Sequence, residues 1–389
     1  MIDLPSRGFE RAEFKTRIAR AQEALQMHEL DGLLVMSEPE IQYFAGFQTQ
    51  FWLSPTRSWF LFVPSEGNPT AIIPEIGADL MRDTWVSDIR TWPAPCPEDD
   101  GISLLTDLLL PFSQRNAAIG VMKGHETYLR MPLADWERLI NGLPGMRVAD
   151  ATKQIQSIRM IKSPTEIEKV SAACEIGSAA FEQIPSLFKP AMSLEALFRE
   201  FKRCALALGA DNVPYLVGAS DQGGYRNVIS PPSRRPLHQG DVLMLDTGLT
   251  WDGYYCDFDR NWRLGHVSDQ VHHVYEVLWD ATEAGLEAIK PGKSAFDVFN
   301  AMSKVVSKAS SEVSDIGRLG HGLGIQLTEQ PSLASFDETE LKENMVLTLE
   351  PAMSYGDGKI MVHEENIVVE ANGARLLSKR APQKLPNLL

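Results

Sequence analysis

At 389 residues the chain exceeds the length at which one hydrophobic core stops growing, so two domains are expected. Its 44% apolar and 23% charged residues are those of an ordinary globular protein, which excludes a disordered class. A net charge of −15, with Ser233-Arg234-Arg235 the nearest thing to a basic cluster, argues against a nucleic-acid role.

From Glu10 to Leu30, Phe14, Ile18, Ala21 and Leu25 recur at helical spacing on a charged segment, which predicts an amphipathic helix. Gly32–Met36, Trp59–Val63, Thr70–Ile73 and Ala117–Val121 read as buried strands between helical or turn-rich segments, the pattern of an α/β domain. Within it, Phe51–Phe60 carries Trp52, Trp59 and Arg57 among turn residues. Either the tryptophans are core and Arg57 a solvated charge, or the stretch faces a ligand. Ser163 with Glu166 forms a capping box and Pro164 sits at the first helical position, so a helix opens a new domain there. The expected division is 1–158 and 159–389. Ile167, Val170, Cys174, Ile176 and Phe181 give that helix an apolar stripe, and a second helix runs from Ser193 to Gly209. A hairpin follows, then helices capped by Ser268 and by Ser294 with Asp297, then strands at Met345–Leu349, Ile360–Val362 and Ile367–Val369. Helix pair, hairpin, helix pair and strands make an α+β pattern, with helices on one face of a mainly antiparallel sheet, and the two halves hint at internal duplication. Cys96, Cys174, Cys204 and Cys256 lack CxxC spacing, which disfavours a zinc ribbon, a redox motif or a disulfide framework. Reduced thiols in a cytoplasm are expected. The first residues show no signal-peptide pattern, and no run approaches the ~18 apolar residues of a membrane span.

The stretch Asp241–Arg260 puts carboxylates where a chain wants none. Val242–Leu245 is apolar on both strand faces and reads as buried, while Asp252-Gly253 is a turn signal leading into a second strand, Tyr254–Phe258. Pairing the strands brings Asp246 near Asp257, and two ionised carboxylates repel in a low-dielectric place. Either one is solvated at a strand end while the other caps a turn, or a divalent cation neutralises both. Three further candidates lie downstream: His321 in Gly320-His-Gly-Leu-Gly324, Glu350 directly after a buried strand, and Glu364 between apolar flanks. Each alone is as readily a turn residue or a satisfied polar group. Together with the aspartates they make four carboxylates and one imidazole. Such a set balances the charge of two divalent ions held about 3.5–4 Å apart, the spacing of two-metal hydrolytic sites. Oxygen-rich ligation with one imidazole suits Mn or Co, with Fe or Zn admissible.

The order Asp246-Thr-Gly, Gly-Tyr-Tyr-Cys-Asp257, Gly-His321-Gly-Leu-Gly, Met-Val-Leu-Thr-Leu-Glu350-Pro and Glu364-Glu-Asn-Ile-Val-Val closely resembles the pita-bread metallopeptidases. These include Xaa-Pro aminopeptidase and prolidase, and creatinase shares the fold without the metals. The match covers residues 160–380, and residues 10–155, including Ile41-Gln-Tyr-Phe-Ala-Gly-Phe47, resemble the creatinase-type N-terminal domain. The resemblance implies an α/β N-terminal domain plus an α+β pita-bread catalytic domain. It implies Asp246, Asp257, His321, Glu350 and Glu364 as ligands of a dinuclear centre, and a homodimer in which an N-terminal loop reaches the partner's site. Glu350 would take a proton from the attacking water and pass it to the leaving amine, pure ligation being its other open role.

Several positions depart from the family pattern. Thr328 stands where a second histidine usually follows His321 by seven residues, and Val362 stands where an arginine usually precedes Glu364. Tyr225–Ser233 holds no histidine, His238 lies too close to the following strand, and the usual Asp-x-Thr-Arg reads Asp257-Phe-Asp-Arg260. The metal ligands are thus kept while the parts that hold a peptide carbonyl are altered. Asn227, Arg226, Thr328 and His363 are candidate oxyanion donors, although strand alternation turns His363 away from the face of Glu364. Arg57 is a candidate clamp for a substrate carboxylate. The first reading is a Xaa-Pro dipeptidase or aminopeptidase acting on a short peptide or small molecule. The second is a non-peptidase hydrolase or lyase of a small amide or zwitterion, like creatinase, ectoine hydrolase or the pita-bread sulfoniopropionate lyase. A binding module with a dead site is disfavoured, because five ionic groups on apolar strands are costly without a metal.

Overall fold

Buried runs of Leu, Val, Ile and Phe build the sheet of one compact unit, Gly8–Arg159. In the computed structural model, which describes residues 2–54, 57–309 and 317–389, its strands are β1 Gly32–Val35, β2 Phe60–Pro64, β3 Thr70–Pro74, β4 Asp88–Trp92, β5 Ala118–Val121 and β6 Arg147–Asp150. Their order is β4-β3-β2-β1-β5-β6; β2 is antiparallel to both neighbours and the remaining pairs are parallel. β4 and β6 carry few buried residues, which is why no apolar run announces them. The helix Arg11–Met27 buries Phe14, Ile18, Ala21 and Leu25, as its spacing predicts. Trp52 and Trp59 are core residues, 8% and 1% exposed, in an aromatic cluster with Phe47 and Phe51. Arg57 is half-buried, its guanidinium 4.7 Å from the Phe51 ring centre, and is therefore no freely solvated charge. Arg130 holds this stretch by donating to the carbonyls of Arg57 at 2.7 Å and Trp52 at 3.0 Å. Pro55 and Thr56 of the same stretch lie outside the described residues.

The second unit is Met160–Leu389, joined by the residues up to Arg7, whose guanidinium donates to Asp211 at 2.9 Å. Its first helix, Pro164–Glu182, begins with the expected reciprocal cap between Ser163 and Glu166. That helix and Leu194–Leu208 pack against each other and against a sheet of order β10-β8-β7, formed by β7 Asn212–Gln222, β8 Asp241–Trp251 and β10 Phe258–Arg263. A short β9, Tyr254–Tyr255, also pairs with β8. The Asp252-Gly253 turn takes positive φ at both residues, as a tight hairpin of that composition should. The buried Lys169 ammonium pins it through the Asp252 carboxylate. A second helix pair, Asp269–Ala288 and Ala295–Ala309, belongs with the remaining strands. These are β11 His321–Gly322, β12 Glu329–Ser332, β13 Val346–Leu349, β14 Ala352–Tyr355, β15 Lys359–Val362, β16 Glu365–Glu370 and β17 Gly373–Leu376. They form an antiparallel sheet of order β12-β11-β13-β16-β17 and a separate β14-β15 ladder. Each half of this unit is thus a helix pair on an antiparallel sheet.

Candidate metal centre

The hairpin that should join Asp246 to Asp257 is not a continuous ladder. After β9 the chain leaves the sheet at Cys256 and Asp257 and resumes at Phe258, so the expected single strand Tyr254–Phe258 is two strands. The register then sets Asp259, not Asp257, directly opposite Asp246. Asp257 compensates for its lost ladder bonds through a side chain from the other half. Asn366 Oδ1 accepts from the Asp257 amide at 2.8 Å, and Asn366 Nδ2 donates to the Asp257 carbonyl. This clamp aims the Asp257 carboxylate away from its own sheet, towards the elements of the second half.

Those elements deliver three groups. His321 opens β11, its amide donating to Thr348 Oγ1 at 3.1 Å. Leu349 of β13 pairs with Glu365 of β16, so Glu350 and Glu364 sit opposite each other just beyond that ladder. Arg260 donates to the Glu364 carbonyl at 3.0 Å and to the Glu365 carboxylate at 3.0 Å, fixing the backbone that presents the Glu364 side chain. Asp257, His321 and Glu364 are buried and bring one donor atom each within 4.8 Å of one another. Asp246 lies beside the same group, its charge felt by Asp257 and Glu364, and Glu350 is felt by Asp246, Asp257 and Glu364.

The chemistry of this donor set fits a cation. His321 Nδ1 lies 2.9 Å from the Gly322 carbonyl, which assigns the ring proton to Nδ1 and leaves a lone pair on Nε2. That lone pair faces Asp257 Oδ2 at 3.4 Å. Burial, and then the Arg318 charge, push His321 down to about 4, so this contact is no ion pair at neutral pH. Asp246 Oδ1 and Glu364 Oε1 are buried with no hydrogen-bond partner among the described residues. Burial and the Glu350 charge raise Asp246 to about 8, and burial raises Glu350 to about 7 against the lowering effect of Arg318. Burial, followed by neighbouring carboxylates, holds Asp257 and Glu364 well above the usual range. Every one of these strains is relieved by positive charge among the oxygens.

In chelator-treated protein the same crowding makes stability depend on pH. Asp246 and Glu350 titrate above the ~4 of carboxylates in an unfolded chain, so the native state holds more protons than the unfolded state between those values. Stability is then greatest at low pH in this window and falls as pH rises towards the folded values. Thermal melts from about pH 5 to 8 should show Tm declining, with a smaller decline when a divalent metal is added. A flat or rising profile without metal would contradict the crowding.

The remaining candidates fall in different places. Thr328 is half-buried just before Glu329, whose carboxylate forms a buried ion pair with Lys162 at 3.0 Å. Asn227 and Arg226 are exposed, and Asn227 Oδ1 accepts from the Ile229 amide at 2.8 Å, closing a local turn. His363 is buried with Nδ1 3.0 Å from Thr282 Oγ1 and its ring edge-on to Tyr275, so it is a core residue, as strand alternation requires. Val362 is buried, with its amide donating to Tyr225 Oη and its carbonyl accepting from Asn261. Four neighbours of the site escaped the sequence reading. Arg318 is half-buried and acts on Asp257, His321 and Glu350. The Tyr215 hydroxyl is a hydrogen-bonding neighbour of Asp246. Asn366 clamps Asp257, and Tyr225 donates to Asn261 Oδ1 at 2.9 Å. Only Asn366 leaves a sequence signal, a polar residue beside the apolar run Ile367-Val-Val369.

The sequence profile of Metallopeptidase family M24 matches residues 168–371, more than half of the chain, and that of the Creatinase/Prolidase N-terminal domain matches residues 17–161. An Xaa-Pro dipeptidase from Pyrococcus furiosus is 26% identical over 378 residues, covering 94% of this chain and 98% of its own length. A probable dipeptidase PepE from Mycobacterium bovis is 24% identical over 388 residues, 98% of each chain. The solved structure of dipeptidase PepE from Mycobacterium ulcerans matches with a TM-score of 0.84 at 25% identity, covering 98% of this chain and 99% of that one.

Proposed function

We propose, from the premise that this chain belongs to metallopeptidase family M24, that it hydrolyses short peptides as an Xaa-Pro dipeptidase or aminopeptidase. The observation that carries the reading is the convergence of Asp257, His321 and Glu364 with orphaned buried oxygens on Asp246 and Glu364, in a chain that matches an Xaa-Pro dipeptidase over nearly its whole length. Asp246, Asp257, His321, Glu350 and Glu364 would hold two divalent ions, Mn or Co by the preponderance of oxygen donors. When bound, such ions supply Lewis acidity and a water of lowered pKa. Glu350 acts as the general base: its carboxylate, at the end of β13 beside the other ligands, takes the water's proton and returns it to the leaving nitrogen. Tyr215 and Arg318 orient and balance the charge of these carboxylates. The protein works as a cytoplasmic homodimer, consistent with free cysteines and with the two-domain family pattern. The N-terminal domain expected over 1–158 corresponds to the compact unit Gly8–Arg159, the residues up to Arg7 belonging with the catalytic unit.

The test is hydrolysis of a panel of Xaa-Pro dipeptides and longer Xaa-Pro peptides by Mn- or Co-loaded protein, with small cyclic amides and zwitterions alongside. Turnover of the peptides supports the reading. Turnover confined to the small amides moves the chain to the second class, which the apolar Val362 and the missing imidazole at Thr328 favour.

Two substitutions probe substrate recognition. Thr328→His is expected to retain peptidase activity, because the family carries an imidazole at that position. Loss of turnover on every substrate, with metal content intact, would make Thr328 itself a participant. Arg57, stacked on Phe51 and with Nε lacking a hydrogen-bond partner among the described residues, is proposed to clamp the substrate carboxylate from the second copy of the dimer. A charge-assisted contact of this kind contributes about 1.5–3 kcal/mol. Arg57→Ala should then raise KM roughly 10- to 100-fold, with metal content and dimer mass unchanged. An unaltered KM returns Arg57 to a packing role.

A further inference from the structure

Asp259 is a carboxylate beside the centre that the proposed ligand set does not use. It is 2% exposed and stands directly across the β8–β10 ladder from Asp246, so both side chains leave the sheet on the same face. Directly opposed residues hold their Cβ atoms about 4.5–5.5 Å apart. Its Oδ2 accepts from Asn261 Nδ2 at 2.6 Å, and Asn261 is itself held by Tyr225 and by the Val362 carbonyl. The other oxygen, Oδ1, is buried with no hydrogen-bond partner among the described residues. Arg260, next in sequence, turns its guanidinium to Glu365 and the Glu364 carbonyl. Asp259 feels the Asp246 charge and its own charge is felt by Glu364, and both of these residues also carry an orphaned buried oxygen.

A buried carboxylate held by the Asn261 amide, eased by the Arg260 charge and the Glu364 backbone, still keeps Oδ1 without a hydrogen-bond partner among the described residues, and such an oxygen is costly in isolation. Here three bare oxygens, on Asp246, Asp259 and Glu364, belong to residues that act on one another across the junction of the two sheets. A rigid Tyr225–Asn261 support orients Asp259, as supporting residues orient a metal-binding carboxylate elsewhere. We infer that Asp259 is a further oxygen ligand of the cation centre through Oδ1, held in place by Asn261. The inference rests on the metal reading proposed above and adds one carboxylate to it. A fifth carboxylate favours hard, oxygen-seeking ions such as Mn(II) over Zn(II).

The test is Mn(II) binding to chelator-treated protein by calorimetric titration, with thermal melts before and after loading. Asp259→Asn keeps an oxygen for Asn261 and removes the charge. It should weaken Mn(II) binding at one site by roughly 10- to 100-fold. Its metal-free Tm should stay close to that of wild type, because the asparagine oxygen keeps the bond from Asn261, while the rise in Tm on loading shrinks. A purely structural role gives the opposite signature, a lower metal-free Tm with unchanged Mn(II) affinity, and that result overturns the assignment. Should Asp259→Asn not fold, Asp259→Ser carries the same comparison. Equal binding by wild type and variant removes Asp259 alone from the centre, whereas wild type that takes up no Mn(II) removes the metal reading and Asp259 with it.

Discussion

Replacing Asp257 or His321 by alanine should strip most of the divalent metal from the protein and lower kcat/KM by roughly 10³-fold or more, while the folded state survives. The size follows from the role proposed for the pair. A metal-activated nucleophile and a polarised carbonyl are worth several kcal/mol of transition-state stabilisation, and each factor of ten in rate is about 1.4 kcal/mol. Survival of the fold follows from what holds Asp257. Its position is set by backbone bonds to the Asn366 side chain, which alanine retains, and its carboxylate faces a neutral imidazole rather than a structural cation. Removing either group also removes a source of repulsion, so the chelated variants should melt no lower than chelated wild type. Elemental analysis with circular dichroism checks both halves of the expectation. A variant that keeps its metal and its activity would refute the centre, and one that loses its far-UV signal would mean the group is structural.

Glu350→Gln separates ligation from proton transfer. Glutamine keeps a carbonyl oxygen for a cation but cannot take a proton, and general acid–base catalysis by a positioned carboxylate contributes roughly 10²–10⁴-fold. The expected result is a fall of that order in kcat, little change in KM, and metal content close to wild type. Without metal, burial raises Glu350 to about 7 and Arg318 limits that rise. If metal and activity disappear together in this variant, Glu350 is a ligand and nothing more.

Much of this protein was legible in the order of its residues. The capping box at Ser163–Glu166, the Asp252-Gly253 turn and the amphipathic first helix are local features, written in neighbouring residues and realised as written. The candidate ligands stood out for a related reason: a carboxylate or imidazole beside an apolar strand is expensive, and its expense shows in the sequence without any knowledge of its neighbours. That Asp259 faces Asp246 follows from the hairpin register set at the Asp252-Gly253 turn, which is the same on both sides of the break at Cys256 and Asp257. Relations between distant strands were not legible. That Asn366 holds Asp257 joins residues 109 apart in sequence, and nothing local to either predicts it. The two tryptophans of the 51–60 stretch looked equally suited to a ligand-facing surface and to a core, and only the packing of Phe47 and Phe51 against them decided for the core. Local propensity and the cost of burying charge are properties of single residues and their neighbours. Which buried charges share a site is a property of strand register, and register is set by packing across the whole unit.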